Sequence, residues 1–109
     1  MPMKDRRATP RFQAKPENHI TYGDRSAPVR DLSLDGVFVF DPDPLPAGSE
    51  LSFTLRAGQT DISLEGIVRH SVVDVGMGIQ FTNLSGVSKR RLIIHMASLV
   101  SAPSQKVEV

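Results

Sequence analysis

A small, mostly β barrel closed by a C-terminal helix is the fold this sequence predicts, and three features predict it. Short segments in which apolar and polar residues alternate recur between His19 and Phe81. Each segment is bounded by Gly, Pro, Asp or Ser, the residues that reverse a chain. After Leu84 the apolar spacing changes to a helical repeat.

The elements follow in order. A weak first strand falls at His19 to Tyr22, and a second at about Ala27 to Leu34, ending at the Asp35-Gly36 pair that favours a tight reversal. Val37 to Phe40 is unbrokenly apolar, which predicts a strand packed on both faces or near the barrel axis. Asp41 to Gly48 contains three prolines and must be a loop, since proline removes ladder donors. Leu51, Phe53 and Leu55 then alternate with Ser52 and Thr54 and share one face. Ile62, Leu64 and Val68 continue the alternation, and Gly66 among them marks a bulge or a close backbone approach. In the sixth strand Met77, Ile79 and Phe81 alternate with Gly76, Gly78 and Gln80, so one face is apolar and the other nearly bare. Leu92, Ile93, Met96, Leu99 and Val100 fit one amphipathic helix with Ser85 or Ser88 as its N-cap. The helix is expected to cover an open end or face of the barrel.

The chain, 109 residues long, has room for one domain. Residues 1–16 read as a flexible arginine-rich segment of that domain, 17–100 as the barrel with its helix, and 101–109 as a disordered tail. Lys and Arg total 13 against 12 Asp and Glu, so bulk charge does not drive binding to nucleic acid or to an anionic membrane. The chain has no cysteine, which excludes disulfides and thiol chemistry. His19, His70 and His95 lie far apart without metal-ligand spacing, so no metal is expected. No apolar run approaches the roughly 20 residues of a membrane span, and the cytoplasm is the expected location.

Two constellations could carry binding chemistry. In the first, RRATPR, Pro10 biases Thr9 away from helix, and in an extended chain Arg7 and Arg11 project to one side about 13 Å apart at ~3.3 Å per residue. A guanidinium can pair bidentately with phosphate or with the O6 and N7 edge of guanine, and can stack on a base. Taken alone, this segment also reads as a solvated basic tail. In the second, DLSLDG, Asp31 and Ser33 are two residues apart and would share a strand face about 7 Å apart. The aspartate can accept the N1 and N2 hydrogens of guanine or hold an arginine, and the serine can bond a base or phosphate. Gly36 permits positive φ and has no Cβ to block a ligand. Taken alone, this is also a plain Asp-Gly hairpin.

In this order, Arg7-Ala8-Thr9-Pro10-Arg11 and Asp31-Leu32-Ser33-Leu34-Asp35-Gly36 resemble the signature of the PilZ family: RxxxR near the N-terminus and D/NxSxxG in the early strands. The likeness extends over nearly the whole chain, including the Gly76 to Phe81 strand and the final helix. It implies a six-stranded PilZ-type β-barrel that binds cyclic dimeric GMP, the N-terminal segment folding over the ligand as a clasp. By position the ligand-binding roles fall on Arg7, Arg11, Asp31, Ser33 and Gly36. Arg6, just before RxxxR, implies a stacked pair of ligand molecules, hence two nucleotides per domain. Arg69, outward on the fifth strand, could flank the ligand or be a surface arginine.

An arginine contact of about 1 to 3 kcal/mol against an ordering cost of roughly 1 to 2 kcal/mol per residue means that several contacts must act together, which suits a switch read by a downstream protein. Three other readings compete. One is a PilZ-like protein-interaction module that binds no nucleotide, which the intact pair of motifs disfavours. Another is a general DNA- or RNA-binding barrel, for which one Tyr, no Trp and mostly core-facing Phe provide no stacking platform. The last is an enzyme, for which no catalytic set can be assembled.

Overall fold

Two tight hairpins show how local sequence sets the sheet. Tyr22 and Arg25 face each other around Gly23 (φ 60°), and Ala57 and Thr60 around Gly58 (φ 66°). A positive φ there matches the right-handed twist of the flanking strands and is open to glycine without steric cost. A computed structural model of the chain describes residues 12–13 and 18–107, with side chains described from 18 to 97.

The strands are β1 (Phe12–Gln13), β2 (His19–Tyr22), β3 (Arg25–Leu32), β4 (Gly36–Phe40), β5 (Glu50–Ala57), β6 (Thr60–Val72) and β7 (Gly76–Thr82), followed by the helix α1 (Gly86–Val107). All pairings are antiparallel. The sheet order is β1-β3-β2-β5-β6-β7-β4, and a further β3–β4 pairing joins its ends. Strands β2 to β7 thus form the closed six-stranded ring, and β1 adds to β3 beyond the end of β2. Closure leaves each of the six strands one inward face.

That face is filled by Ile20, Ala27, Val29, Leu32, Val37, Val39, Phe53, Leu55, Ile62, Leu64, Val68, Met77 and Ile79, all buried. The alternation expected for Leu51 to Leu55, Ile62 to Val68 and Met77 to Phe81 is realised, with Leu51 and Phe81 half-buried at the margin. Val37 to Phe40 differs from expectation. Val37 and Val39 point into the core, whereas Phe38 is half-buried and Phe40 is 44% exposed. Its apolar run serves two surfaces, and only one of them is the core.

Gly66 makes a close approach and no bulge. A Cβ there would lie 2.5 Å from the Ile79 side chain and 2.7 Å from the Gln80 carbonyl oxygen. The bulge falls slightly later, between Val68 and His70, and leaves Arg69 outside the register with β7.

Ser85 is the N-cap of α1: its hydroxyl accepts from the Ser88 amide at 3.1 Å. Ser88 donates its hydroxyl to the Ser63 carbonyl at 2.8 Å, and Arg91 donates to the Asp61 carbonyl at 3.0 Å. Leu92 and Met96, four residues apart on one helix face, enter the core. Burying a leucine this fully contributes about 1.5–3 kcal/mol. Ile93 stands one step around the helix and is 47% exposed, so it is not part of the buried stripe. Asn18 completes the seat, with its carbonyl accepting from the Gly58 amide at 3.3 Å and its amide 3.1 Å from His95 Nε2. The helix runs to Val107, past the boundary at residue 100 read from the periodicity.

Candidate functional site

Ser33, Leu34 and Asp35 make the reversal between β3 and β4. Ser33 is fully buried, and its hydroxyl accepts from the amides of Asp35 (3.1 Å) and Gly36 (3.3 Å), while its own amide donates to the Gly36 carbonyl at 2.9 Å. These bonds satisfy the turn from within and fix its shape.

Gly36 does not use the positive φ that glycine permits. A Cβ at Gly36 would lie 2.2 Å from the Ile79 carbonyl oxygen, so glycine is required by the closeness of β4 and β7. Its bare side is filled by the neighbouring backbone.

Asp31 owes its position to a second irregularity. The β3–β4 register passes from Val29↔Val39 to Asp31↔Phe38, leaving Arg30 unmatched. Successive residues of a regular strand point to opposite faces, and a bulge breaks that rule. Arg30 is exposed, Asp31 half-buried and Leu32 buried. Arg30 Nε donates to Asp31 Oδ2 at 2.7 Å, and the guanidinium carbon sits 4.0 Å from the centroid of the Phe38 ring. Asp31 and Ser33 do not share one outer face, because β3 ends at Leu32 and Ser33 already belongs to the turn. Asp31 faces outward, and Ser33 is spent on the turn.

The bare face of β7 explains where Phe38 goes. A Cβ on Gly76 would meet Phe38 Cε1 at 3.1 Å, and one on Gly78 would meet Phe38 Cδ2 at 3.5 Å and His70 Cδ2 at 3.6 Å. The ring therefore occupies the space that the glycines leave. Phe40 meets Phe38 edge-on at 6.4 Å. On the far side of β7, Arg69 is exposed and donates from Nε to Gln80 Oε1 at 2.6 Å, with Gln80 opposite Gly36. Asp31, Phe38, Gly78 and His70 thus lie in register across β3, β4, β7 and β6, with Arg69 beside them.

Arg6, Arg7 and Arg11 lie outside the described residues. The chain that follows them does not: Phe12 is opposite Leu32, and Gln13 is opposite Asp31. Arg11 precedes Phe12 directly, and consecutive Cα atoms are about 3.8 Å apart, so the first motif leads into a strand laid against the second.

At the other end of β4 a buried cluster anchors the proline-rich loop. Tyr22 donates its hydroxyl to Asp41 Oδ2, and Arg25 and the Asp43 amide donate to Oδ1 at 2.5 and 2.9 Å. Burial pushes the Asp41 carboxyl up, but the bonds from Tyr22, Asp43 and Arg25 outweigh it and hold the group below its ordinary value. Burial and the adjacent carboxylate raise the Tyr22 hydroxyl. A groove of about 540 Å³ runs past Thr21, Ser52, Thr54 and Ser63 to the start of α1.

The sequence reasoning missed Arg30 and Phe38. The available signal was the G-x-G run of β7, which leaves room for an aromatic ring on a paired strand. The bulge that turns Arg30 toward that ring has no mark in composition.

The chain is a closed six-stranded antiparallel barrel with a helix seated on it and a polar face at its β3–β4 reversal. The sequence profile of the PilZ domain family matches residues 5–98, and the chain belongs to that family. No curated protein matches the sequence at a significant level. Among solved structures, the chain is similar to YcgR of Escherichia coli in complex with c-di-GMP (TM-score 0.79, 20% identity), covering 94% of this chain and 50% of that one. The isolated PilZ domain of YcgR with c-di-GMP gives a TM-score of 0.73 at 19% identity, with 94% and 98% covered. The MrkH–c-di-GMP complex of K. pneumonia gives 0.77 at 17% identity, with 93% and 55% covered. This chain therefore spans about half the length of YcgR and MrkH.

Proposed function

We propose that this chain is a receptor for cyclic dimeric GMP that works as an adaptor. Arg7 and Arg11 bind guanine edges and phosphates, Asp31 takes a second guanine edge, and Ser33 and Gly36 hold the reversal that presents it. Arg69 flanks the ligand, and Arg6 favours a stacked pair of nucleotides. The N-terminal segment orders over the ligand and changes the surface offered to a downstream protein. The module acts in the cytoplasm and by binding, with no catalytic step. No described helix is long and apolar enough to cross a membrane.

The observation that carries this reading is the β1–β3 register, in which the residues after RxxxR pair with Asp31 and Leu32 of the second motif. This register supports a first motif that reaches the second across one sheet margin. Similarity to YcgR and MrkH, both described in complex with c-di-GMP, supports the choice of ligand.

Isothermal titration of cyclic dimeric GMP into the purified protein tests it, with Arg7→Ala and Arg11→Ala alongside and linear GMP as control. Saturable binding lost in both variants is expected, with a stoichiometry near two. Absence of heat and of chemical-shift change at high ligand concentration overturns the receptor reading in favour of a barrel used only for protein interaction.

A further inference from the structure

We propose that Arg30, carried on the ring of Phe38, is a further ligand-binding residue of this face: a preformed shelf on which one guanine of the ligand stacks. The inference rests on the receptor reading and adds to it a residue outside both motifs.

The shelf is built in layers. Gly76 and Gly78 leave β7 bare, and the Phe38 ring fills that space from β4. Arg30 covers the ring at 4.0 Å. A guanidinium is planar and weakly hydrated, so it stacks on an aromatic face and offers its second face to another π system. The Arg30 side chain keeps 49% of its surface open.

Two contacts fix the plane. Phe38 sets its height, and the bond from Nε to Asp31 Oδ2 at 2.7 Å sets its rotation. An exposed ion pair adds little stability of its own, and its use here is to hold the arginine ready. A side chain already held in its binding geometry loses less entropy when the ligand arrives. The bulge at Arg30 is needed for this, because in unbroken register Arg30 and Asp31 would point to opposite faces.

The base most suited to the shelf is one whose edge meets Asp31 while its plane meets Arg30. Guanine has both features, with N1 and N2 hydrogens for a carboxylate and a purine plane for the guanidinium. A lysine at this position would keep the charge and lose the plane.

The test compares wild type, Arg30→Ala, Arg30→Lys and Phe38→Leu by calorimetric titration with cyclic dimeric GMP, together with near-ultraviolet circular dichroism of the bound guanine. Base stacking of this kind predicts a Kd raised about ten- to a hundredfold in each variant, with the dichroic signal of the stacked base reduced. Melting of each ligand-free variant close to wild type assigns the loss to the site. Binding by Arg30→Lys equal to wild type, or an unchanged dichroic signal in Arg30→Ala and Phe38→Leu, overturns the shelf and leaves the receptor reading standing. No binding by wild type removes the receptor reading, and the shelf with it.

Discussion

Gln13 lies opposite Asp31 across the β1–β3 ladder. The pairing ties the two residues that follow the arginine motif, Phe12 and Gln13, to Leu32 and Asp31 through backbone register. Asp31→Ala is therefore expected to weaken cyclic dimeric GMP binding by at least tenfold, the scale of one edge contact. Thermal unfolding of the ligand-free variant should stay near wild type, because the carboxylate is paired outside the core. Titration and a melting curve on the same sample check both parts.

Two glycines with opposite surroundings make a paired test of the fold. At Gly36 a Cβ would lie 2.2 Å from the Ile79 carbonyl oxygen, a backbone atom that cannot yield without moving the ladder. Gly36→Ala should destabilise by about 1–3 kcal/mol or more. At Gly86, in the first turn of α1, a Cβ meets nothing within 4 Å, and Gly86→Ala should be neutral or stabilising by about 0.4–1 kcal/mol. Urea unfolding of both variants measures the contrast, and equal midpoints would contradict it.

The Asp41 cluster predicts loss of stability at both pH extremes. Its carboxyl is held below the ordinary 3.8, so the stabilisation it provides is complete above that value and is lost as pH falls through the lower folded value. The Tyr22 hydroxyl is raised above 10.0, so its stabilisation is complete below that pH and is lost as pH rises through the higher folded value. Asp41→Asn should flatten the acid limb of a stability–pH profile, and Tyr22→Phe the alkaline limb. Denaturant midpoints across pH provide the check.

Asn18 joins β2, the β5–β6 turn and α1 through bonds to Gly58 and His95 while only 1% exposed. Asn18→Ala would remove the acceptor of the Gly58 amide and the contact to the His95 ring, at a cost of about 1–3 kcal/mol. Amide exchange in α1 should accelerate more than in β6 if the residue holds the helix, and uniform acceleration would deny it that role.

Much of the barrel was legible because burial on one face writes period two into a strand. Leu51 to Leu55 and Met77 to Phe81 needed no other information. Val37 to Phe40 misled because a half-buried aromatic ring resting on glycines outside the core reads the same as a core residue. Bulges were the other blind spot. The sequence marks Gly66 as special, yet the extra residues fall at Arg30 and Arg69, where no glycine or proline signals them. At the candidate site, the motifs pointed to Asp31, Ser33 and Gly36, which the structure sets around one β3–β4 reversal. Their different settings, Asp31 on the strand, Ser33 in the turn and Gly36 against β7, became visible only with the strands paired.

The candidate face consists of two hairpins, β3–β4 and β6–β7, joined along the β4–β7 ladder, where Gly36 and Gly76 let the backbones come close. The strands on the two sides of that seam are distant in sequence, so the face forms only when the ring closes and cannot be assembled from one contiguous stretch. Long-range pairing of this sort is slow relative to hairpin formation. During synthesis both motifs would leave the ribosome well before β7, carrying their residues with nothing to hold them in place. A chain truncated before Gly76 would keep every signature position of the two motifs and have no surface on which to display them.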